Sequence, residues 1–439
     1  MSTTAHPNGG ASTLADLGTP VAHGDEPYVE RVLRHAGGLD GHVSSVGVTE
    51  GFKQIVDEFH TPAGETPAGF RVDTQVTRDG SVRFDLARDL AYDRNGELRP
   101  TPLLFSVDSA NPYEVAPCAN LVANLTCNPG IVYDLFINDP RANVDHKFDT
   151  LEEVMTELGK ILGPGCDMSI ELNNPFEPDF GQILEQVHAF AELVSRHRLV
   201  VKVPHTGPVN RQNVQQLLDG DGLLDVRYDQ GTTADYLYGH NLALKLHEHG
   251  FRVNFTLMFE PHQQALALQA RPYFINSFLR HRHAATKTFK ALLAAYEASD
   301  DHAYIKQLRS FMVAKDYLSS ADGDMDLLEV LDRARMFLRN RRFDDEGEEG
   351  LDAGRQALRW LRTANLPDTR LILCSMEGED AFPDIMRMLT EPEFLDMHHR
   401  VLITTEPNYL ARWASAPQVV SYQRRFMRAA RAVNEAAAV

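Results

Sequence analysis

Cysteine is scarce in this chain. The four present, Cys118, Cys127, Cys166 and Cys374, are scattered with no C-x-x-C pair. That spacing offers neither a disulfide framework nor a zinc site. No H-E-x-x-H string occurs, and His281-Arg282-His283 has no carboxylate or thiol beside it, so no metal is expected. No apolar run approaches the roughly eighteen residues of a membrane span, and no basic-then-apolar leader is seen. No membrane partner is expected, and a reducing cytoplasm is the default compartment. Positive charge is also short: 43 Lys and Arg stand against 62 Asp and Glu, a formal net charge of -19. Nucleic acid and anionic membranes both need a basic footprint, so neither is an expected partner.

What is there suffices for one large α/β domain with additions, or for two domains: 439 residues, 43% of them hydrophobic. Residues 1–25 are rich in Gly, Ser, Thr, Pro and Ala and read as a flexible lead. Residues 26–100 form an extension. Helices are expected over 26–35 and 49–59, the second with Phe52, Ile55, Val56 and Phe59 at helical spacing, and a hairpin over 70–91 around Asp79-Gly80. From 101 to 439 the pattern changes to short apolar runs separated by amphipathic helices. The runs are 103–107, 121–125, 167–172, 199–204, 251–259, 273–278, 371–375 and 401–405. Eight such βα units predict a (β/α)8 TIM barrel, with the N-terminal extension and a helical insertion. A Gly/Asp/Tyr-rich excursion covers 218–240. The insertion is placed at 284–368, with a solvated acidic loop at 344–349. A final helix over 419–436 is expected to lie across the barrel.

Leu199-Val200-Val201-Lys202-Val203-Pro204 reads as a strand buried on both faces with one lysine inside it. Burial disfavours the ammonium, and a neutral amine can attack a carbonyl to form a Schiff base. At an ordinary pKa of about 10.4, only roughly 0.1% of a lysine is neutral near pH 7.5. The competing reading is a structural lysine whose head reaches solvent or a strand-end carboxylate. In a barrel the site lies at the carboxyl ends of the strands. The polar residues there are Asp108, Asn128, Glu171, Lys202, Asn254, Thr256, Asn276, Ser277, Ser375 and Thr404. A carboxylate near the lysine would carry protons as carbinolamine becomes imine.

Several strings, in order and spacing, resemble the transaldolase family. They are Val107-Asp108-Ser109-Ala110-Asn111, Leu125-Thr126-Cys127-Asn128-Pro129, Ser169-Ile170-Glu171, Val201-Lys202-Val203-Pro204 and Val253-Asn254-Phe255-Thr256. Ile275-Asn276-Ser277-Phe278 and Thr404-Thr405-Glu406-Pro407 continue the pattern. The resemblance covers 101–283 and resumes from 370 to 412. It implies that Lys202 is the Schiff-base lysine, Asp108 the acid/base carboxylate, and Glu171 with Thr256 the holder of the catalytic water. Glutamate at 171 is similar to transaldolases; the related fructose-6-phosphate aldolases carry glutamine there. Asn128 and Asn254 match residues that hold donor hydroxyls. The implied enzyme is a cytoplasmic transferase of carbohydrate metabolism, as in the pentose phosphate pathway. It takes sugar or sugar-phosphate substrates, needs no cofactor, and leaves room for a homodimer.

The phosphate end departs from the family. Transaldolases hold phosphate with two arginines. Arg280 or Arg282 matches the first, near Asn276 and Ser277. The second belongs two residues after a strand-end serine, and in Ser375-Met376-Glu377 a glutamate stands there. Two readings follow. Either Glu377 points away and phosphate is held by Arg280 or Arg282, or this end is recast for an uncharged or cationic group. The nearest alternative function is an aldolase of the same fold acting on a non-standard or unphosphorylated sugar in a specialised biosynthetic pathway. The alternative from another class is a non-catalytic barrel scaffold. His205 is expected to face the helices as a packing residue.

Overall fold

The computed structural model describes residues 13–36, 39, 43–93, 96–164, 166–341 and 350–437, with side chains through 431. Residues 1–12 of the expected lead and the acidic string 344–349 lie outside these. From Thr13 onward the lead carries a short helix, Leu14–Leu17, with Leu17 buried, and Val21 bridges Val46.

In the extension, the Thr49 hydroxyl accepts from the Phe52 N–H and opens helix α1 (Glu50–Glu58). Strands β1 (Val46–Val48), β2 (Phe70–Val76) and β3 (Val82–Arg88) form a sheet in the order β1-β3-β2. The hairpin joining β2 and β3 turns at Gly80, whose φ of 78° suits a residue without a Cβ. Phe52, Val56, Phe70, Phe84 and Leu86 pack between α1 and the sheet.

Eight parallel strands then close into a barrel: β4 (Leu104–Asp108), β5 (Val122–Cys127), β6 (Asp167–Glu171), β7 (Arg198–Pro204), β8 (Arg252–Thr256), β9 (Phe274–Phe278), β10 (Arg370–Cys374) and β11 (Val401–Thr405). Each falls on one of the eight apolar runs, and the fold is a (β/α)8 TIM barrel. Alternation divides the strands. Leu104, Val200, Phe274, Ile372 and Leu402 fill the interior, while Val201, Val203, Phe255, Ile275, Leu371 and Leu373 meet the helices. The helical ring includes α2 (Leu151–Leu162), α3 (Phe180–Leu193), α4 (Tyr238–Glu248) and α5 (Pro261–Ala267). A reciprocal Thr150/Glu153 cap starts α2, and Gly163 follows its end.

The extension closes the amino-terminal end of the barrel. Arg88 of β3 bonds Asp167 at 2.9 Å, and Arg198 pairs with the same buried carboxylate. The Arg198 guanidinium lies over the rings of Phe59 and Phe70, at 5.4 and 4.7 Å. The opposite, carboxyl end is the mouth.

Between β9 and β10 run α6 (Leu279–Ser299), α7 (Ala303–Ala314), α8 (Leu327–Asn340) and α9 (Asp352–Thr363). Helices α6 to α8 share a core of their own around Phe289, Leu308, Met312 and Val330. Helix α9 buries Ala357, Leu358 and Leu361 in the barrel's core and belongs to the ring. The additional block is therefore α6 to α8 rather than the whole of 284–368. The excursion after β7 meets this block: Arg227 lies 3.2 Å from Asp322, and the Ser320 N–H donates to the Leu224 carbonyl.

Helix α10 (Ala381–Leu389) precedes β11. The last helix, α11 (Pro417–Ala437), does not lie across the barrel as expected for 419–436. Its described side chains are exposed, Val420, Tyr422, Phe426 and Met427 among them. No helix among the described residues is long and apolar enough to cross a membrane.

Candidate active site

The side chains of Asp108, Thr126, Glu171, Lys202, Asn254, Thr256, Asn276, Cys374 and Thr404 lie on the barrel's inner face, at or near the carboxyl ends of their strands. Register sets them side by side. Asp108 is opposite Thr126, Glu171 opposite Lys202, and Lys202 opposite Asn254. Lys202 is 6% exposed, and its Nζ lies 3.2 Å from Glu171 Oε2. Asn276 donates to Asn254 Oδ1 at 2.6 Å and to the Phe255 carbonyl at 2.9 Å.

Burial would push the Lys202 amine towards neutrality, but the charges of Glu171 and Asp108 oppose it and prevail, so its pKa is raised. The amine is thus paired with a strand-end carboxylate, as the competing reading of this strand allows, rather than driven neutral by burial. A proton held on Lys202 has a carboxylate within reach to receive it. Burial raises the Asp108 carboxyl; Lys202 opposes this, and Glu171 and Glu406 add to it. An acid pushed upward remains a usable base and becomes a better acid near neutral pH.

A group of buried polar atoms finds no partner within the protein: Asp108 Oδ1, Thr126 Oγ1, Asn254 Nδ2, Thr256 Oγ1 and Thr404 Oγ1. Leaving so many orphans in one interior is costly unless water or a polar ligand satisfies them. Two backbone outliers sit just past strand ends at the same mouth, Leu257 and Ser375, each with φ of 58°.

Not every expected residue converges. Ser277 lies on the opposite face from Asn276, with its Oγ towards Gly354 of α9. Asn128 stands at the end of β5, but its Oδ1 accepts from the Ile131 N–H. Arg282 is 3% exposed and bonds Asp352 and Glu260, so it is an internal structural cation and not a phosphate ligand. Arg280 remains at the rim, and its Nε lies 3.7 Å from Glu377 Oε2. The Ser375 carbonyl accepts from the Arg280 N–H at 2.9 Å. His205 stacks on Phe255 with centroids 4.2 Å apart, on the helix side.

Sequence reasoning passed over Thr126 and Cys374. Thr126 lies two residues before Asn128, so alternation could have placed it inward. Cys374 Sγ lies 3.7 Å from Asn276 Oδ1. Burial raises both Cys374 and Cys127, the latter to about 12, so neither is a thiolate near neutral pH.

Residues 105–319 match the transaldolase/fructose-6-phosphate aldolase family. No curated protein matches the chain.

Proposed function

We propose that this chain, a member of the transaldolase/fructose-6-phosphate aldolase family through its barrel, transfers a three-carbon dihydroxyacetone unit from a ketose to an aldehyde through a Schiff base on Lys202. The observation that carries the reading is a buried lysine amine 3.2 Å from Glu171, in an interior that also holds Asp108.

Lys202 gives its proton to Glu171 and attacks the ketone carbon. The carbinolamine loses water to give the protonated imine, with Glu171 and Thr256 positioning that water. Asp108 takes the proton from the hydroxyl on the fourth carbon. The electrons of the bond between the third and fourth carbons move into the imine, leaving an enamine, and an aldehyde departs. The steps then reverse with an acceptor aldehyde, Asp108 returning the proton to the new alkoxide oxygen. Asn254 Nδ2, Thr126 and Thr404 supply hydrogen bonds to the sugar hydroxyls.

The pairing of Arg280 with Glu377 favours an unphosphorylated or weakly anionic far end of the substrate. Replacing a second cation by this carboxylate leaves the arginine's charge largely compensated. The pair is exposed, 44% and 65%, so solvent screening holds its influence to about 1 kcal/mol.

The test is product analysis with fructose 6-phosphate or fructose as donor and erythrose as acceptor, which would yield a seven-carbon ketose. Transfer predicts a new ketose that forms only when acceptor is present. Steady release of free dihydroxyacetone would instead mean an aldolase, and no turnover of any ketose would return the barrel to a scaffold role.

A further inference from the structure

The barrel end opposite the mouth holds more guanidinium charge than its carboxylates offset. Asp167 is wholly buried and is shared by Arg88 and Arg198. Arg370 and Arg400 bond main-chain carbonyls, including those of Asp368, His399 and Leu366, with the Asp368 carboxylate in their field. The side chains of Arg252, which opens β8, and of Arg271 form no hydrogen bond or ion pair among the described residues. Arg271 also holds a left-handed φ of 51° at the end of the turn that follows α5. Six arginines thus stand near Asp167, Asp368, Glu58 and Asp89, and Asp89 also lies 3.6 Å from Arg71. The chain as a whole has a net charge of -19, so the surplus runs against its average.

Beside this group lies a cavity of about 520 Å³ between the extension and the barrel. Arg88, Arg252 and Arg271 line it together with Phe59, Phe251 and Tyr273, and Glu58 and Asp368 also reach it; the Arg88 guanidinium lies over the Tyr273 ring, 5.5 Å from its centroid. Arg88 Nε, shielded from solvent, bonds nothing. The side chain is 16% exposed, and its neighbours Arg198, Arg370 and Arg252 repel its charge. Buried like charges of this kind are relieved by an anion, and guanidinium forks match phosphate oxygens.

We propose that this cavity binds a phosphate-bearing small molecule, with the phosphate held by Arg88, Arg252 and Arg271 and an apolar or planar body against the aromatic wall. The site is independent of Lys202 chemistry, lying at the other end of the barrel.

The test is calorimetric titration of the full chain with adenosine monophosphate and with inorganic phosphate, at ionic strength fixed with sodium chloride. Expected is saturable binding of one equivalent, weakened tenfold or more in Arg252→Gln/Arg271→Gln and unchanged in Lys202→Ala. Both arginines are exposed, so the double variant should keep its melting temperature without ligand; if it does not, Arg271→Gln alone serves. Absence of saturable binding with either probe, binding indifferent to the arginine variants, or binding lost in Lys202→Ala would each overturn the proposal.

Discussion

Arg282 and Arg280 are two residues apart in sequence, and replacing each should do different things. The Arg282 guanidinium donates to Asp352 through Nε at 2.8 Å and also pairs with Glu260, which in turn accepts from Arg341 at 2.9 Å. The network joins the start of α6, the start of α9, the entry to α5 and the end of α8. Burial works against the charge, but the bonds to Asp352 and Glu260 outweigh it and raise its pKa. Arg282→Met leaves Asp352, 3% exposed, as an unpaired buried carboxylate. Breaking such a pair from one side costs about 3–5 kcal/mol, a large part of the roughly 5–15 kcal/mol that holds a domain folded. Asp352→Ala should cost about the same. The combined Arg282→Met/Asp352→Leu variant should recover much of the loss, because apolar groups of similar volume need no partner. Urea denaturation followed by fluorescence gives the three midpoints, and initial rates give KM for a sugar phosphate. An Arg282→Met protein with the wild-type midpoint and only a raised KM would refute this reasoning and return Arg282 to the substrate.

Three other outcomes follow from the site and the core. Asp108→Asn should lower kcat by about a hundredfold or more. It should also raise the melting temperature at pH 7. The folded pKa of Asp108 lies above the unfolded 3.8, so its ionisation opposes folding as pH rises through the folded value. The gain should vanish below pH 3.8, and an equal gain there would contradict the assignment. Glu377→Arg should improve KM for a sugar phosphate by about tenfold and leave an unphosphorylated ketose unaffected; equal effects on both would mean that the rim does not read phosphate. Burial lowers His197 and His205 to about 4, so both are neutral in the fold. Each contributes on the order of 2–3 kcal/mol above the unfolded pKa of 6.5, lost as pH falls towards 4. An acid unfolding curve no shallower in His197→Phe/His205→Phe would contradict this.

The eight strands were legible because each is an apolar, often β-branched run closed by turn residues, and parallel barrel strands are buried on both faces. Asp79-Gly80 announced the hairpin for an equally local reason. What depends on distant residues was not legible. Valines around Lys202 suggest desolvation, but Glu171 and Asp108 come from other strands, and only the closed barrel brings their charges to the amine. Arg280 and Arg282 look equivalent in a string. On a helix they point about 200° apart, one to the rim and one into the packing between α6 and α9. The bounds of the insertion were hidden because α9 has the same amphipathic period as α6 to α8 while packing on the ring. The pattern of α11 shows an apolar face, and a pattern cannot say whether the rest of the chain covers it.

The central claim is a Schiff base at Lys202, and intact-mass spectrometry after borohydride reduction tests it most directly. Wild-type protein and Lys202→Ala are each reduced in the presence of fructose 6-phosphate and, separately, of dihydroxyacetone. The account predicts a covalent adduct of one ketose or dihydroxyacetone unit on the wild type and none on the variant. An adduct that persists in Lys202→Ala, or no adduct with either compound on the wild type, would contradict it.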